Sequence, residues 1–317
     1  MRTVLRWGQS AYETDADLAL ERAAAEALGL RWSVIPEDAV PELDGVDVLV
    51  VTSRVKVDRA LLARFTGSLV LTTTSGWDHI DVAAAVERGI EVGRCPLARR
   101  DAVAQHAVAS IVALLRRQPA FDRAARDGRW ARAELPALDP LALSDATVAV
   151  IGLGVIGRTV AAALRGLGAR VVGTDPAGVP DGVIDAGTVD AALASADAVT
   201  LHCALTPSTR GVLSAARIAA LRPGAVLVNT ARGSLVDVDA AVEAVRTGHL
   251  RGAALDVFPR EPWPGLQAAA QVDGLWLTPH ASGYTRGLGT RVAREVADAL
   301  AAWVDRRPVP HGVTGIG

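Results

Sequence analysis

The sequence predicts an α/β protein of two domains, each a parallel sheet with helices on its faces. Two observations predict it. Short apolar segments alternate with amphipathic, helix-like ones in two successive runs, separated by a Pro-rich stretch at Glu134 to Leu143. A glycine-rich turn, Val148-Ala-Val-Ile-Gly-Leu-Gly-Val-Ile-Gly157, opens the second run, so almost half of the 317 residues precede it. That is room for a further domain with its own core.

In the first run, Thr3 to Leu5 reads as a strand, Asp15 to Leu28 as a helix ended by Gly29, and Val46 to Val51 as an apolar strand. A helix over Asp58 to Phe65, a strand at Leu69 to Thr72 and a helix at Asp81 to Arg88, stopped by Gly89, follow. Val103, Val108, Ile111, Val112 and Leu115 then mark a long helix from Asp101 to about Arg126, kinked or broken at Pro119. The second run places strands at Thr147 to Ile151, Arg170 to Gly173, Ala198 to Leu201, Ala225 to Asn229, Ala253 to Asp256 and Leu275 to Thr278, with a helix at Val155 to Leu167. Thr290 to Val304 is an amphipathic helix with no strand after it, able to pack on either domain.

Composition bounds the function. Half the residues are hydrophobic and 21% are charged, the balance of a globular chain and not of a disordered one. The net charge of −2, with no basic block, lacks the electrostatic footprint of a nucleic-acid binder. Cys95 and Cys203 form neither a disulfide framework nor a zinc-ligand spacing, so no metal is expected. Met1 to Trp7 has no apolar signal region. The longest apolar stretch, Ala102 to Leu115, is broken by Gln105 and His106 and is too short to span a bilayer. The chain is therefore expected to be cytoplasmic, with no membrane and no nucleic-acid partner.

Gly152, Gly154 and Gly157 have the spacing of a dinucleotide turn: the first permits the bend, the second lets backbone approach a pyrophosphate, and the third allows close helix–strand packing. The N–H groups of the helix start, including Val155 and Ile156, face the anion. Asp175 ends the next strand and suits the adenosine ribose hydroxyls. Pro176, Ala177 and Gly178 follow it with no arginine or lysine, which predicts NAD in preference to NADP. Three side chains at strand ends suit carbonyl chemistry. Arg232 follows the strand ending in Asn229, and its fork of donors can hold a carboxylate. Glu261 lies in the loop after Asp256, and His280 lies just past the following strand. A glutamate beside a histidine fixes the ring and sustains the imidazolium. The remaining histidines, His79, His106, His202, His249 and His311, read as structural or surface residues by default.

With these motifs in place, the chain resembles the D-2-hydroxyacid dehydrogenase family, which includes phosphoglycerate, formate, hydroxypyruvate and phosphite dehydrogenases. The resemblance runs from Thr74-Ser-Gly-Trp-Asp-His-Ile-Asp81 through Gly152-Leu-Gly-Val-Ile-Gly157, Asn229-Thr-Ala-Arg-Gly233 and Asp256-Val-Phe-Pro-Arg-Glu-Pro262 to Thr278-Pro-His280. It implies that Arg232, Glu261 and His280 are catalytic. It implies NAD contacts from Gly152, Gly154, Val155, Ile156, Gly157, Asp175, Pro176, Thr230, Ala231, Asp256 and His280, and from the segment beside the adenosine, His202, Cys203, Ala204 and Pro207. Thr74, Ser75 and Gly76 become the substrate loop, whose N–H groups grip a carboxylate. The family arrangement implies a flavodoxin-like substrate domain at 1–97 and 285–317, an inserted doubly wound NAD-binding domain at 98–284, and a homodimer formed through the NAD domain.

Two positions depart from the family pattern. Gln105 stands where a glutamate is usual, which reads as a structural change at the hinge. Arg99 stands where the family commonly has an asparagine close to the substrate, and an arginine there suits a second anionic group, a phosphate, phosphonate or distal carboxylate. The expected reaction is reversible hydride transfer between NAD(H) and a 2-hydroxy/2-oxo acid of D configuration, with domain closure excluding water. Formate- or phosphite-type oxidation is the alternative within the enzyme class. An NAD-sensing, corepressor-like interaction protein is the alternative outside it, disfavoured by the lack of a long extension beyond the core.

Overall fold

The computed structural model describes residues 1–313. They form two compact units, Met1–Arg99 together with the residues from Tyr284 onward, and Arg100–Gly283. The division falls within the helix Leu97–Leu115.

The first unit is a parallel sheet of β1 (Thr3–Trp7), β2 (Arg31–Ile35), β3 (Val48–Val51), β4 (Leu69–Thr72) and β5 (Glu91–Arg94), in the order β2-β1-β3-β4-β5. β3 and β4 are buried at every residue, which is why they read as unbroken apolar runs. β2 and β5 are the edge strands and escaped the sequence reading: Arg31, Ser33 and Val34 of β2 face solvent, so the apolar signal is diluted. Helices expected to begin at Asp58 and Asp81 begin one residue later, because each aspartate is an N-cap that accepts from Leu61 N and Ala84 N. The last helix, Leu288–Val304, joins this unit and packs on the helix Asp15–Ala27, burying Val292, Val296, Ala299 and Leu300.

A charged residue lies inside this core. Arg6 of β1 is fully buried, pairs with Glu13 at 2.7 Å and Glu21 at 3.3 Å, and donates from Nε to Gly8 O. Glu21 also accepts from Trp32 Nε1 at 3.0 Å. Burial without these partners would be prohibitive. Glu13 accepts from Ser10 N as well, so the cluster pins the loop that carries Tyr12.

The second unit is a parallel sheet of β6 (Thr147–Ile151), β7 (Arg170–Thr174), β8 (Ile184–Asp185), β9 (Ala198–Leu201), β10 (Ala225–Asn229), β11 (Leu250–Leu255) and β12 (Leu275–Leu277), in the order β12-β11-β10-β9-β6-β7-β8. The order reverses between β6 and β9, and a crevice opens beyond the carboxyl ends of strands at such a switch point. The long helix expected over 101–126, kinked or broken at Pro119, is two helices, Leu97–Leu115 and Gln118–Arg126. The break precedes Pro119: Arg117 adopts a left-handed conformation (φ 57°), and the proline sits in the first turn of the second helix, where its missing N–H costs nothing. The earlier start at Leu97 is set by Glu295, whose two carboxylate oxygens accept from Leu97 N and Ala98 N at 2.9 Å each. Asp256 and Thr278 fall just past their strands. No helix among the described residues is long and apolar enough to cross a membrane.

Candidate active site

The glycine turn follows β6 at the switch point. Gly152 has φ +91°, and a Cβ there would overlap the backbone of Cys203, so the turn and the segment after β9 lie against each other. A Cβ on Gly157 would overlap Gly152 O, whereas one on Gly154 would meet nothing within 4 Å. Gly152 and Gly157 are thus required by packing, and Gly154 opens a space. The helix Val155–Gly166 starts at this space, and its first-turn N–H groups have no intrahelical acceptor. Asp175 accepts from Leu153 N at 2.6 Å and from Ala177 N at 2.8 Å. Thr230 Oγ1, just past β10, is buried with no protein partner. An open cradle at a helix N-terminus, an acid beside it and an orphaned hydroxyl fit a dinucleotide.

His202 lies on the same floor. Its Nε2 is 2.9 Å from Thr200 Oγ1, and burial pushes the imidazole down to about 3, so the ring is neutral. Burial pushes the Cys203 thiol up to about 11 and holds the Cys95 thiol well above its ordinary value, which makes both thiols inert at neutral pH.

The polar side chains expected to carry the chemistry gather beyond β10, β11 and β12. Asn229 staples the turn after β10: its Oδ1 accepts from Ala231 N and its Nδ2 donates to Arg232 O. Gly233 follows because any side chain there would overlap the backbone of Phe258, which brings the Arg232 turn against the loop after β11. Glu261 in that loop accepts from Phe258 N at 3.0 Å with one oxygen and from His280 Nδ1 at 2.8 Å with the other. Asp256 is almost fully buried, and its carboxylate accepts from Thr278 Oγ1, Ala281 N and Ser282 N. His280 N donates to Asp256 O, and the residue adopts a positive φ of 55°. Asp256 therefore shapes the loop that presents His280. The side chains of His280 and Glu261 are 51% and 38% exposed, open enough to meet a ligand.

In the first unit, Thr74, Ser75 and Gly76 lie in the loop after β4. Every carbonyl from Thr73 to Trp77 is engaged: Thr73 O by Arg99 Nη1, Thr74 O by Cys95 N, Ser75 O by Arg94 Nη1, Gly76 O by Thr74 Oγ1 and Trp77 O by Ile80 N. The N–H groups of Thr74, Ser75, Gly76 and Trp77 donate to no acceptor among the described residues. Thr73 Oγ1 and Ser75 Oγ are buried without a partner. A run of outward N–H groups is an anion-binding concavity. Arg99 also donates to Tyr12 Oη, and its guanidinium lies 4.9 Å from that ring's centroid; Arg100 pairs with Asp101.

Three residues of this surroundings were not singled out from sequence. Arg94 sits on edge strand β5 and lies 4.8 Å from the Trp77 ring centroid. Tyr12 lies in a loop with no pattern. Arg158 follows the third glycine of the turn. An arginine directly after the glycine motif was the one available signal.

Comparison with known proteins agrees with this geometry. Residues 108–282 match the model of the D-isomer specific 2-hydroxyacid dehydrogenase NAD-binding domain. A D-3-phosphoglycerate dehydrogenase of Mycobacterium bovis is 34% identical over 92% of this chain. The chain spans 56% of that relative's length. Among solved structures, a protein of Thermus thermophilus is 32% identical with a TM-score of 0.76, covering 98% of this chain and 99% of that one. A D-lactate dehydrogenase of Aquifex aeolicus, complexed with NAD and lactic acid, is 26% identical with a TM-score of 0.82 and the same coverage, 98% and 99%.

Proposed function

The chain belongs to the D-isomer specific 2-hydroxyacid dehydrogenase family, and from that premise we propose that it interconverts a 2-oxo acid and its D-2-hydroxy acid with NAD(H). The Glu261–His280 pair carries the reading. Because Nδ1 of His280 is held by Glu261, Nε2 is the atom that exchanges a proton, given to the carbonyl oxygen on reduction and taken from the hydroxyl on oxidation. Glu261 fixes the ring through its hydrogen bond to Nδ1. The turn of Gly152, Gly154 and Gly157 with the start of the helix Val155–Gly166 would hold NAD, which when bound would supply or accept the hydride. Arg232 polarises the C2 carbonyl and binds the carboxylate, and the N–H groups of Thr74 to Trp77 grip that carboxylate. We propose Asp256 and Thr230 as contacts of the nicotinamide side, and His202, Cys203, Ala204 and Pro207 as the adenosine side.

A finer reading adds a second anionic group on the substrate, a phosphate, phosphonate or distal carboxylate, held by Arg99. It rests on a guanidinium beside the substrate loop. The test is a panel of mono- and dianionic 2-oxo acids with NADH, for the wild type and Arg99→Asn. Turnover of 2-oxo acids is expected, with the KM of dianionic substrates rising at least tenfold more than that of monoanionic ones in the variant. Equal changes remove the second-anion reading. Turnover of formate or phosphite alone would replace the 2-oxo-acid reading, and NADH binding with no turnover of any substrate would favour a sensor. We further propose a cytoplasmic homodimer, assembled through the second unit.

A further inference from the structure

The sequence offers no cation after Asp175, but the fold supplies one from elsewhere. Arg158, in the first turn of the helix Val155–Gly166, donates from Nε to Leu153 O at 2.7 Å and places Nη2 3.4 Å from Gly178 O. Gly178 closes the turn that begins at Asp175, with Gly178 N donating to Asp175 O. Leu153 is shared. Its N–H is donated to the Asp175 carboxylate and its carbonyl accepts from Arg158. Asp175 and Arg158 therefore flank one residue of the glycine turn, on the side where the adenosine ribose is read.

The charge of Arg158 is not neutralised there. No carboxylate lies within ion-pair distance of it among the described residues, Asp175 included. Asp175 is instead engaged by the backbone N–H groups of Leu153 and Ala177. Arg158 is exposed, and its remaining N–H groups bind no protein atom. A guanidinium in this state is suited to a phosphate monoester, which it can bind through two parallel hydrogen bonds.

We propose that Arg158 is the contact for a ribose 2′-phosphate, and that preference for NADH over NADPH rests on the charge of Asp175 and not on lack of a cation. The native protein accordingly binds NADPH, less tightly than NADH. A 2′-phosphate carries close to two negative charges, so Asp175 repels it while Arg158 attracts it. The ribose of NADH has no such charge, and Arg158 acts on it only by holding the turn.

The proposal rests on the cofactor turn and not on the catalytic reading, so its test uses binding alone. Dissociation constants for NADH and NADPH, and for the fragments AMP and 2′,5′-ADP, are measured by calorimetry on the wild type, Asp175→Asn, Arg158→Gln, Arg158→Lys and the Asp175→Asn/Arg158→Gln double variant. Asn at 175 can still accept from Leu153 N. Asp175→Asn is expected to tighten NADPH and 2′,5′-ADP at least tenfold while changing NADH less than threefold. Arg158→Gln weakens NADPH at least fivefold more than NADH, Arg158→Lys retains most NADPH binding, and the double variant loses the gain. The 2′,5′-ADP affinity falls more steeply with salt than the AMP affinity. If Arg158→Gln weakens both dinucleotides equally, Arg158 only holds the turn and the proposal is overturned. The same follows if the double variant keeps the full NADPH gain, or if native protein shows no binding of 2′,5′-ADP at low salt. Thermal melting of each variant identifies loss of fold, and the charge-retaining Lys variant decides the matter if Gln fails to fold.

Discussion

Two loops, one in each unit, turn backbone N–H groups outward at the carboxyl end of a parallel strand, and they reach that state by different chemistry. In the turn Gly152–Gly157 the backbone does it alone. A positive φ at Gly152, a close contact at Gly157 and a helix start leave N–H groups facing the open space at Gly154. In the loop Thr73–Trp77 side chains do it, because Arg99, Arg94 and Thr74 occupy carbonyls and leave the N–H groups available. The first kind of site is written in glycines at fixed spacing and is legible in one sequence. The second depends on an arginine from an edge strand and another from a helix start, and spacing alone does not reveal it.

The contrast can be broken at either end. Gly157→Ala sets a Cβ against Gly152 O, and overpacking a rigid backbone costs about 1–3 kcal/mol. NADH affinity is expected to fall about ten- to a hundredfold, with a lowered melting temperature. Gly154→Ala, with nothing within 4 Å, should leave the melting temperature within 1 or 2 degrees (roughly the scale of a sub-kcal change) and weaken only NADH binding. Equal melting shifts in both would contradict the division of roles.

Arg94→Gln probes the side-chain kind. Loss of a charge-assisted bond to Ser75 O is worth about 1.5–3 kcal/mol, so the KM for 2-oxo acids should rise about tenfold or more. The NADH dissociation constant should not move, since Arg94 belongs to the other unit. A change in NADH affinity with KM unaltered would refute the clamp.

The smallest effect near neutral pH concerns His202. Its folded-state value, about 3, lies below the ordinary 6.5, so the unfolded chain binds a proton that the native state refuses. Stability is unaffected above about pH 6.5 and falls by up to about 1.4 kcal/mol per pH unit as pH drops toward 3. Chemical denaturation of the wild type and His202→Asn between pH 4 and 8 (roughly the window set by those values) should show a shallower acid loss in the variant. Parallel curves would place the acid sensitivity elsewhere.

The buried strands β3, β4, β6, β9 and β10 were legible because a fully covered parallel strand is apolar along its length. β2 was hidden by its solvent-facing residues and β5 by Glu91, Gly93 and Arg94, which leave Val92 as its one apolar residue; the helix break read at Pro119 falls two residues earlier, because a left-handed arginine leaves no compositional mark. The Glu261–His280 contact followed from two strand ends that lie side by side. Arg6 with Glu13 and Glu21 had no signal, since only tertiary packing shows that their charges meet inside a core. Arg158 was not singled out because the chain directly after Asp175 carries no cation, whereas the fold delivers one from the preceding helix.

In the proposed reaction His280, held by Glu261, is the proton carrier of hydride transfer. The direct measurement is His280→Ala, with NADH binding followed by fluorescence and reduction of the preferred 2-oxo acid followed by NADH consumption. NADH affinity should stay within about threefold while turnover falls by about 10²–10⁴, the range for loss of a general acid. Turnover equal to wild type would contradict the assignment.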